Sequence, residues 1–324
     1  MPRTLAPSAL TMLGDQDHVI TRGQALALGW TDSALAARLA ARRWQRLLPG
    51  VYLASSAPPT WAQLAQAAVL YGGPGAVLSH QSAAVLHRLG EPGGRPARSA
   101  LGQVVITVPA QRRVRGVSFV QVRRSRWPER QGALEPAHTP LIRTVLDLFA
   151  DAATDDAAIA WLARAFDQHR CLNAADLLAH RMAQGRMPRR ALLRSACGDV
   201  ADGARSPLEW RYLRQVERAH RLPAAARQVR RHAGGGSATV SDVEYLKGAL
   251  VVELDGRLRH AGTANRWRDL SRDNAVTVQG ARTLRYGWHD VVGRPCQVAA
   301  QVATVLAGLG WGGSPTRCGN QCAL

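Results

Sequence analysis

The stretch from Thr239 to His260, TVSDVEYLKGALVVELDGRLRH, constrains the fold of this chain most, because it sets four carboxylates among β-branched and aliphatic residues. Its centre, Lys247-Gly248, predicts the two-residue turn of a β-hairpin. Counting outward from that turn places Asp242 opposite Glu253. Directly opposed side chains on one face of such a pair have Cβ atoms about 4.5–5.5 Å apart. We therefore expect two acids to face each other across neighbouring strands.

The predicted hairpin has one face that carries the acids and one that is apolar. The acidic face holds Val240, Asp242, Glu244, Val251, Glu253 and Asp255, and the apolar face holds Val243, Tyr245, Leu250, Val252 and Leu254. Burying two opposed carboxylates without a cation costs several kcal/mol or shifts a pKa until one of them is neutral. An arginine meets the need for positive charge, and so does a divalent ion such as Mg²⁺ bound by oxygen ligands on adjacent strands. An exposed hairpin with incidental acids is the alternative, and the apolar residues on both faces argue against it.

The whole chain is strongly basic, with a formal net charge of +19 over 324 residues. Such a charge favours a polyanionic partner, most commonly nucleic acid. Part of it reflects composition alone, because arginine and alanine are heavily used and Lys247 is the single lysine, which is typical of a GC-rich genome. The length predicts two or three domains. No apolar run reaches the roughly 18 residues of a membrane span, so we expect a cytoplasmic protein with no signal peptide and no membrane partner.

The cysteines follow no recognisable metal or disulfide pattern. They are Cys171, Cys197, Cys296, Cys318 and Cys322. None forms a C-x-x-C pair, and no histidine stands beside them at the spacing of a zinc site. The sequence therefore predicts neither a disulfide framework nor a structural zinc ion. The last segment, residues 312–324, is rich in glycine and serine and is predicted to be disordered.

Residues 1–56 predict three helices followed by two short strands. Thr21 and Thr31 are suited to cap the second and third helices. The motif WQRLLPGVYLA then gives two strands that are bent at Pro49-Gly50. This order is typical of a winged helix-turn-helix domain.

Arginines follow the predicted third helix into the wing. Arg38 and Arg42 are expected on one helix face, and Arg43 and Arg46 continue beyond it. A recognition helix flanked by phosphate-binding arginines fits this placement. The alternative is a solvated helix face in an arginine-rich chain, and the helix order and the wing favour DNA binding.

The motif ITRGQALALGWTDSALAARLAARRWQRLLPGVYLAS resembles the N-terminal domain of AbiEi-like type IV antitoxins. The resemblance extends from about Ser8 to Leu89 and includes WAQLAQAAVLYGGPGAVLSHQSAAVLHRLG. Proteins of this family are winged-helix repressors of their own toxin–antitoxin operons. The resemblance thus implies DNA as a partner, and a cognate toxin as a second one.

The middle of the chain predicts a scaffold without chemistry. Residues 57–150 are interpreted as a mixed α/β, antitoxin-like scaffold, and residues 151–203 as a helical linker region. GQVVITVPA and VSFVQVRRS predict a hairpin or neighbouring strands, joined by QRRVRG. A helix is predicted after Pro140, where Arg143 and Asp147 form a surface pair at i, i+4.

A helix start precedes the acidic hairpin. Ser206 is a predicted N-cap, Pro207 takes the first helical position and Glu209 the third. A capping box explains Glu209 fully. A role for Glu209 in a metal site is an equal alternative. Beyond the hairpin, RWRDLSRDNAVTVQ predicts a helix and RTLRYGW a strand.

Residues 204–311 resemble the restriction-endonuclease-like PD-(D/E)XK superfamily, in the group related to the very-short-patch-repair endonuclease. The motifs SPLEWRYL, SDVEYLKGALVVELDGRLRH, RDLSRDNAV and RTLRYGWHDVV carry this resemblance. It implies magnesium-assisted hydrolysis of a DNA phosphodiester, in which the ion polarises the phosphate and activates a water molecule. The implied ligands are Asp242 and Glu253.

The same resemblance implies further site residues. Glu209 would be a helix-borne helper, and Arg272 would contact DNA. Asp255 occupies the position at which the wider superfamily has a lysine, and Lys247 in the turn cannot replace it. His260 can supply acid–base function near neutral pH instead.

The sequence as a whole predicts an α/β multidomain protein, with a winged helix, a mixed α/β middle and a restriction-endonuclease-like C-terminal domain. The leading hypothesis is a metal-dependent DNA endonuclease in phage defence or DNA repair. The alternative is a non-enzymatic antitoxin-type repressor that uses the nuclease fold as a binding platform. A third hypothesis is an orphan housekeeping DNA-binding protein. The sequence does not predict an oligomeric state.

Overall fold

The computed structural model describes residues 7–90, 102–126, 136–169, 171–182, 188–201, 204, 206–232, 238–255 and 282–324. The chain divides into two units, residues 1–188 and residues 189–324. Both contain helices and sheets, so the predicted α/β class is confirmed. None of the helices in the described part is long and apolar enough to cross a membrane.

The N-terminal unit begins with a small antiparallel sheet and three helices. Its elements are α1 (Pro7–Asp15), β1 (Val19–Thr21), α2 (Arg22–Ala27), α3 (Asp32–Ala40), β2 (Gln45–Leu48) and β3 (Val51–Leu53). The side chains of Thr21 and Thr31 accept hydrogen bonds from the backbone of α2 and α3, as predicted. Gly50 turns β2 into β3 with a φ of 72°. The sheet order is β1-β3-β2, and β1 escaped the sequence analysis because three residues are too few to show alternation.

The rest of this unit surrounds a second three-stranded sheet. Its elements are α4 (Trp61–Gly72), β4 (Val77–Leu78), α5 (His80–Leu86), β5 (Val104–Pro109), β6 (Val120–Ser125), α6 (Leu141–Asp151), α7 (Asp155–Gln168) and α8 (Ala174–Met182). Strands β5 and β6 are neighbours, as one of the two alternatives predicted. They run parallel, so the hairpin alternative is wrong. The segment between them crosses over instead of turning back.

One hydrophobic core joins the two halves of the N-terminal unit. It contains Val19, Leu48, Val51 and Leu53 from the first sheet, together with buried residues of α4, β4 and β5. Helices cannot bury an apolar stripe alone and need a partner layer. Residues 1–56, predicted as a separate domain, therefore share this core with the following scaffold. They also have a smaller core of their own around Ile20, Leu35 and Trp44.

The C-terminal unit is built on a four-stranded sheet. Its elements are α9 (Arg190–Ala201), α10 (Pro207–Arg211), a π-helix (Tyr212–Arg218), β7 (Ala226–His232), β8 (Ala238–Tyr245), β9 (Leu250–Asp255), β10 (Arg282–Gly287), α11 (Trp288–Gly293) and α12 (Pro295–Gly308). The strand order is β10-β9-β8-β7. Strands β9 and β10 are parallel and the other pairs are antiparallel.

The predicted apolar face of the hairpin forms the core of this unit. Val243, Tyr245, Leu250, Val252 and Leu254 lie in one cluster with residues of α10, the π-helix and α12. This confirms the face assignment made from the alternation. The acidic face is consequently turned to the other side of the sheet.

Helix α9 belongs to the C-terminal unit. Asp199 on α9 is 3% exposed, and its carboxylate pairs with Arg214 and Arg218 of the π-helix. The predicted helical linker, residues 151–203, therefore spans the boundary between the two units. Alanine-rich helices look alike in sequence, which is why the boundary was not found there.

Candidate functional site

The acidic hairpin has the register that its turn predicts. Val243 is paired with Val252 and Tyr245 with Leu250. The paired residues end at Val243 and Val252. Extending the register by one residue would set Asp242 opposite Glu253, as the turn predicts. Lys247 and Gly248 in the turn have φ values of 55° and 89°, the left-handed conformation that short hairpin turns require.

Asp242 is held in place by the neighbouring strand. Its Oδ2 atom accepts a hydrogen bond of 2.8 Å from the backbone N–H of Leu254. Asp242 and Glu253 are both partly buried. A backbone donor at this distance fixes the direction of the carboxylate.

The ladder between β7 and β8 is irregular beside Asp242. Register pairs flank Gln228, whose φ is 53°, and the register places Gln228 level with Asp242. The side chain of Gln228 donates a hydrogen bond of 2.9 Å to Oε2 of Glu209. This contact ties the helix-borne acid to the strand next to Asp242.

An arginine lies level with Glu253 on the other side. Arg285 of β10 is its register partner. The four strands thus carry Gln228, Asp242, Glu253 and Arg285 in one row, which we call the acidic row. The sequence predicted that an arginine or an ion must offset the opposed acids, and Arg285 brings one positive charge to the row. The position of Arg285 beside Glu253 could not be predicted from the sequence, because the parallel pairing of β9 with β10 joins segments that are distant in the chain.

The remaining predicted site residues have different placements. Ser206 caps α10 by accepting from the backbone N–H of Glu209, as predicted. Glu209 itself is 7% exposed. Asp255 is exposed at the end of β9, level with Gly287. His260, Arg272 and the predicted helix around them lie outside the described residues.

The predicted basic face of the third helix is rearranged. Arg38 stacks over Trp30, with its guanidinium carbon 4.3 Å from the ring centroid. Helix α3 ends at Ala40, so Arg42 lies in the following turn, with a φ of 52°. Arg42 therefore does not share a helix face with Arg38, which corrects the prediction. The exposed basic residues of this region are Arg42, Arg43 and Arg46.

A polar network lies inside the N-terminal unit. The Arg143 and Asp147 side chains, 2.9 Å apart, are only 14% and 13% exposed, so this pair is largely buried and not a surface pair. Nearby, Nε2 of His80 lies 3.5 Å from Oδ2 of Asp151. Nδ1 of His80 forms a hydrogen bond of 2.9 Å with the hydroxyl of Ser79. Burial lowers the pKa of His80, against the opposite effect of Asp147 and Asp151. The network links α5 to α6, and we assign it a structural role.

A second buried network stabilises the C-terminal unit. Glu217 of the π-helix is 4% exposed and accepts hydrogen bonds from Arg227 at 2.6 Å and from the Tyr245 hydroxyl at 3.1 Å. Burial raises the pKa of Glu217, whereas Arg227 and Tyr245 act to lower it. The Tyr245 hydroxyl also lies 3.0 Å from that of Tyr212. These contacts fasten the π-helix to the sheet.

The cysteines form a cluster that the sequence analysis missed. His220, Cys296, Cys318 and Cys322 bring their potential ligand atoms within 4.8 Å of one another. Among the described residues this is the one group of three or more potential metal ligands, so Asp242, Glu253 and Glu209 are not gathered as closely. The prediction of no zinc site relied on local spacing. Local spacing could not reveal this cluster, because its four side chains come from three separate segments.

The end of the chain is ordered against this cluster. The backbone N–H of Thr316 donates a hydrogen bond of 2.9 Å to the carbonyl of His220. Cys322 is 6% exposed, and Leu324 packs against the core of the unit. Residues 312–324, predicted to be disordered, are therefore part of the C-terminal unit.

Comparison with known proteins identifies no family. A scan against protein-family models and a search of curated proteins both gave no match.

Proposed function

We propose that this chain is a DNA-binding protein whose C-terminal unit is a magnesium-dependent DNA endonuclease of the PD-(D/E)XK type. The observation that carries the proposal is the register of β8 with β9, which ends at Val243 and Val252 and, extended by one residue, sets Asp242 opposite Glu253 on the two central strands of the sheet. A helix precedes the hairpin and a further strand and helix follow, which agrees with the resemblance.

The acidic row offers a set of ligands that fits magnesium. Mg²⁺ is commonly bound by one or two carboxylates, with water and substrate phosphates completing its shell. Asp242 is already directed by the Leu254 N–H, so binding requires little reordering of that side chain. When bound, such an ion polarises the phosphate and lowers the pKa of an attacking water. Glu209, fixed by Gln228, would orient water at the edge of the site.

The proton carrier differs from that of the wider superfamily. Asp255 stands where a lysine is expected, and Lys247 lies five residues from Asp242 along the hairpin, roughly 16 Å away at strand spacing. Arginine is in general a poor proton carrier, so Arg285 is not a substitute for the lysine. We assign proton transfer to His260.

The enzyme is tested by incubating the full chain with supercoiled plasmid and magnesium. Nicked or linear products are expected, whereas calcium should support binding without turnover. No metal-dependent conversion of duplex or single-stranded DNA would reject the enzyme.

The N-terminal segment is proposed to be a winged helix-turn-helix that brings the chain to DNA. Its element order and the exposed Arg42, Arg43 and Arg46 support this role. Arg38 has a different function, because it stacks on Trp30, before α3, and lies 5.6 Å from the ring of Trp44 at the start of the wing.

Replacing Arg42, Arg43 and Arg46 with alanine should weaken binding to every DNA sequence and flatten its salt dependence. Each lost phosphate contact reduces the slope of log K against log salt by about 0.9. Fluorescence anisotropy over a salt series measures the slope. A matched control replaces the exposed Arg113, Arg115 and Arg126, which removes the same charge. Equal effects of the two triple variants would show that only net charge matters.

A non-enzymatic repressor is the second candidate. The observation that favours it is Asp255, an exposed acid in place of the lysine. In this case the chain should repress a reporter placed behind its own upstream DNA, a cognate toxin would be its partner, and Asp242→Asn should leave repression unchanged.

A further inference from the structure

We propose that His220, Cys296, Cys318 and Cys322 form a structural zinc site that fastens the end of the chain to the C-terminal unit. Three thiolates and one imidazole suit Zn²⁺ in tetrahedral coordination, whereas Mg²⁺ and Ca²⁺ take oxygen ligands. The site shares no residue with the acidic row, and its sulfur and nitrogen ligands differ from the carboxylates of that row. The proposal of a zinc site does not depend on whether the chain cleaves DNA.

Two of the six distances between ligand atoms match those of a zinc tetrahedron, and all six are within 4.8 Å. With Zn–S of about 2.3 Å and Zn–N of about 2.0–2.1 Å, two sulfurs are about 3.8 Å apart, and a sulfur and a nitrogen about 3.6 Å. The Sγ atoms of Cys296 and Cys318 are 3.6 Å apart. The Sγ atom of Cys322 and Nε2 of His220 are also 3.6 Å apart. Both edges have the length that one shared zinc ion demands.

His220 is oriented as a metal ligand. Its Nδ1 atom lies 3.0 Å from the carbonyl oxygen of Val216. A carbonyl only accepts, so Nδ1 carries the proton and Nε2 directs its lone pair toward the cysteines. This outer hydrogen bond is the one that zinc-bound histidines commonly make. His220 is fully buried, so the ring is held in that orientation.

The ligands come from three places in the unit. His220 follows the π-helix, Cys296 lies in the first turn of α12, and Cys318 and Cys322 lie in the terminal segment. Four protein ligands leave no open position, which is the arrangement of structural and not catalytic zinc. Binding would therefore join the two helices to the end of the chain.

The rival interpretation is a disulfide between Cys296 and Cys318. All five cysteines are free in the structure. A disulfide would use two of the four side chains and would leave His220 and Cys322 without a function. Zinc uses all four.

The test is metal analysis of the full chain purified with reductant and without chelator. We expect stoichiometric zinc, and the visible absorption bands of tetrahedral cobalt after exchange with Co²⁺. Cys318→Ser should lower zinc affinity roughly tenfold or more, since even outer-shell changes cost 10–100-fold. Cys318 is exposed, so the variant should still fold.

The matched control is Cys171→Ser, which removes an exposed cysteine outside the cluster. It should keep its zinc, and a strong chelator should lower its melting temperature as it does for the wild type. Cys318→Ser should give up its zinc at a chelator concentration roughly tenfold or more below that needed for the wild type. Wild-type protein that neither contains zinc nor takes up cobalt would overturn the proposal. So would a Cys296–Cys318 disulfide in a digest of freshly purified protein, or equal zinc affinity of Cys318→Ser and the wild type.

Discussion

Replacing Asp242 with asparagine is expected to abolish magnesium-dependent DNA cleavage and to leave the fold intact. The amide has the same shape and keeps an oxygen that can accept the 2.8 Å hydrogen bond from Leu254. It loses the charge that retains the metal. Stabilisation of the reacting phosphate by a metal is worth several kcal/mol, so the rate should fall roughly a hundredfold or more. Plasmid conversion measured over time gives the rate.

The control for this variant is Asp155→Asn, an exposed acid at the start of α7. It should cleave like the wild type. DNA affinity should be the same for both variants. If the wild type is inactive and Asp242→Asn merely raises the melting temperature, the opposed acids only repel each other. The repressor would then be the better description.

Replacing Arg227 with alanine should destabilise the chain by about 3–5 kcal/mol, the usual cost of removing one partner of a buried ion pair. Glu217 would keep its place inside the unit without its 2.6 Å partner. Urea unfolding measures the change through the midpoint, with an unchanged slope. A loss below about 1 kcal/mol would mean that water or another group replaces the arginine.

The pH dependence gives this second prediction a sharper form. Burial raises the pKa of Glu217 in the folded state. A raised folded pKa gives stability that is present below the unfolded pKa and is lost as the pH rises through the folded value. Without Arg227 the pKa rises further, so Arg227→Ala should lose stability relative to the wild type between mildly acidic and neutral pH. Adding Glu217→Gln to Arg227→Ala should remove this dependence of stability on pH. If stability followed pH in parallel in Arg227→Ala and in the double variant, this account would be contradicted.

Local chemistry decided what the sequence could predict. The register of Val243 with Val252 and of Tyr245 with Leu250 followed from the turn at Lys247-Gly248, because a hairpin is fixed by its own few residues. The caps at Thr21 and Thr31 were predictable for the same reason.

The features that the sequence could not predict depend on pairing between distant segments. Strand β10 lies beside β9 through a parallel pairing, so Arg285 reaches the acidic row from a distant part of the chain. Strand β7 was missed because its residues ARQVRRH show little apolar alternation. The cluster of His220, Cys296, Cys318 and Cys322 was not predicted, for a related reason. Zinc motifs are recognised by short spacings, and here only Cys318 and Cys322 are close in sequence.

The common core of the first sheet and the scaffold limits how this protein can be divided or recombined. A cut after residue 56 would strip Val19, Leu48, Val51 and Leu53 of the side chains that cover them. The smaller core around Ile20, Leu35 and Trp44 would remain, but four exposed aliphatic residues on so small a fragment would favour aggregation. The transferable module for a chimera, or for evolution by domain shuffling, is therefore the whole of residues 1–188.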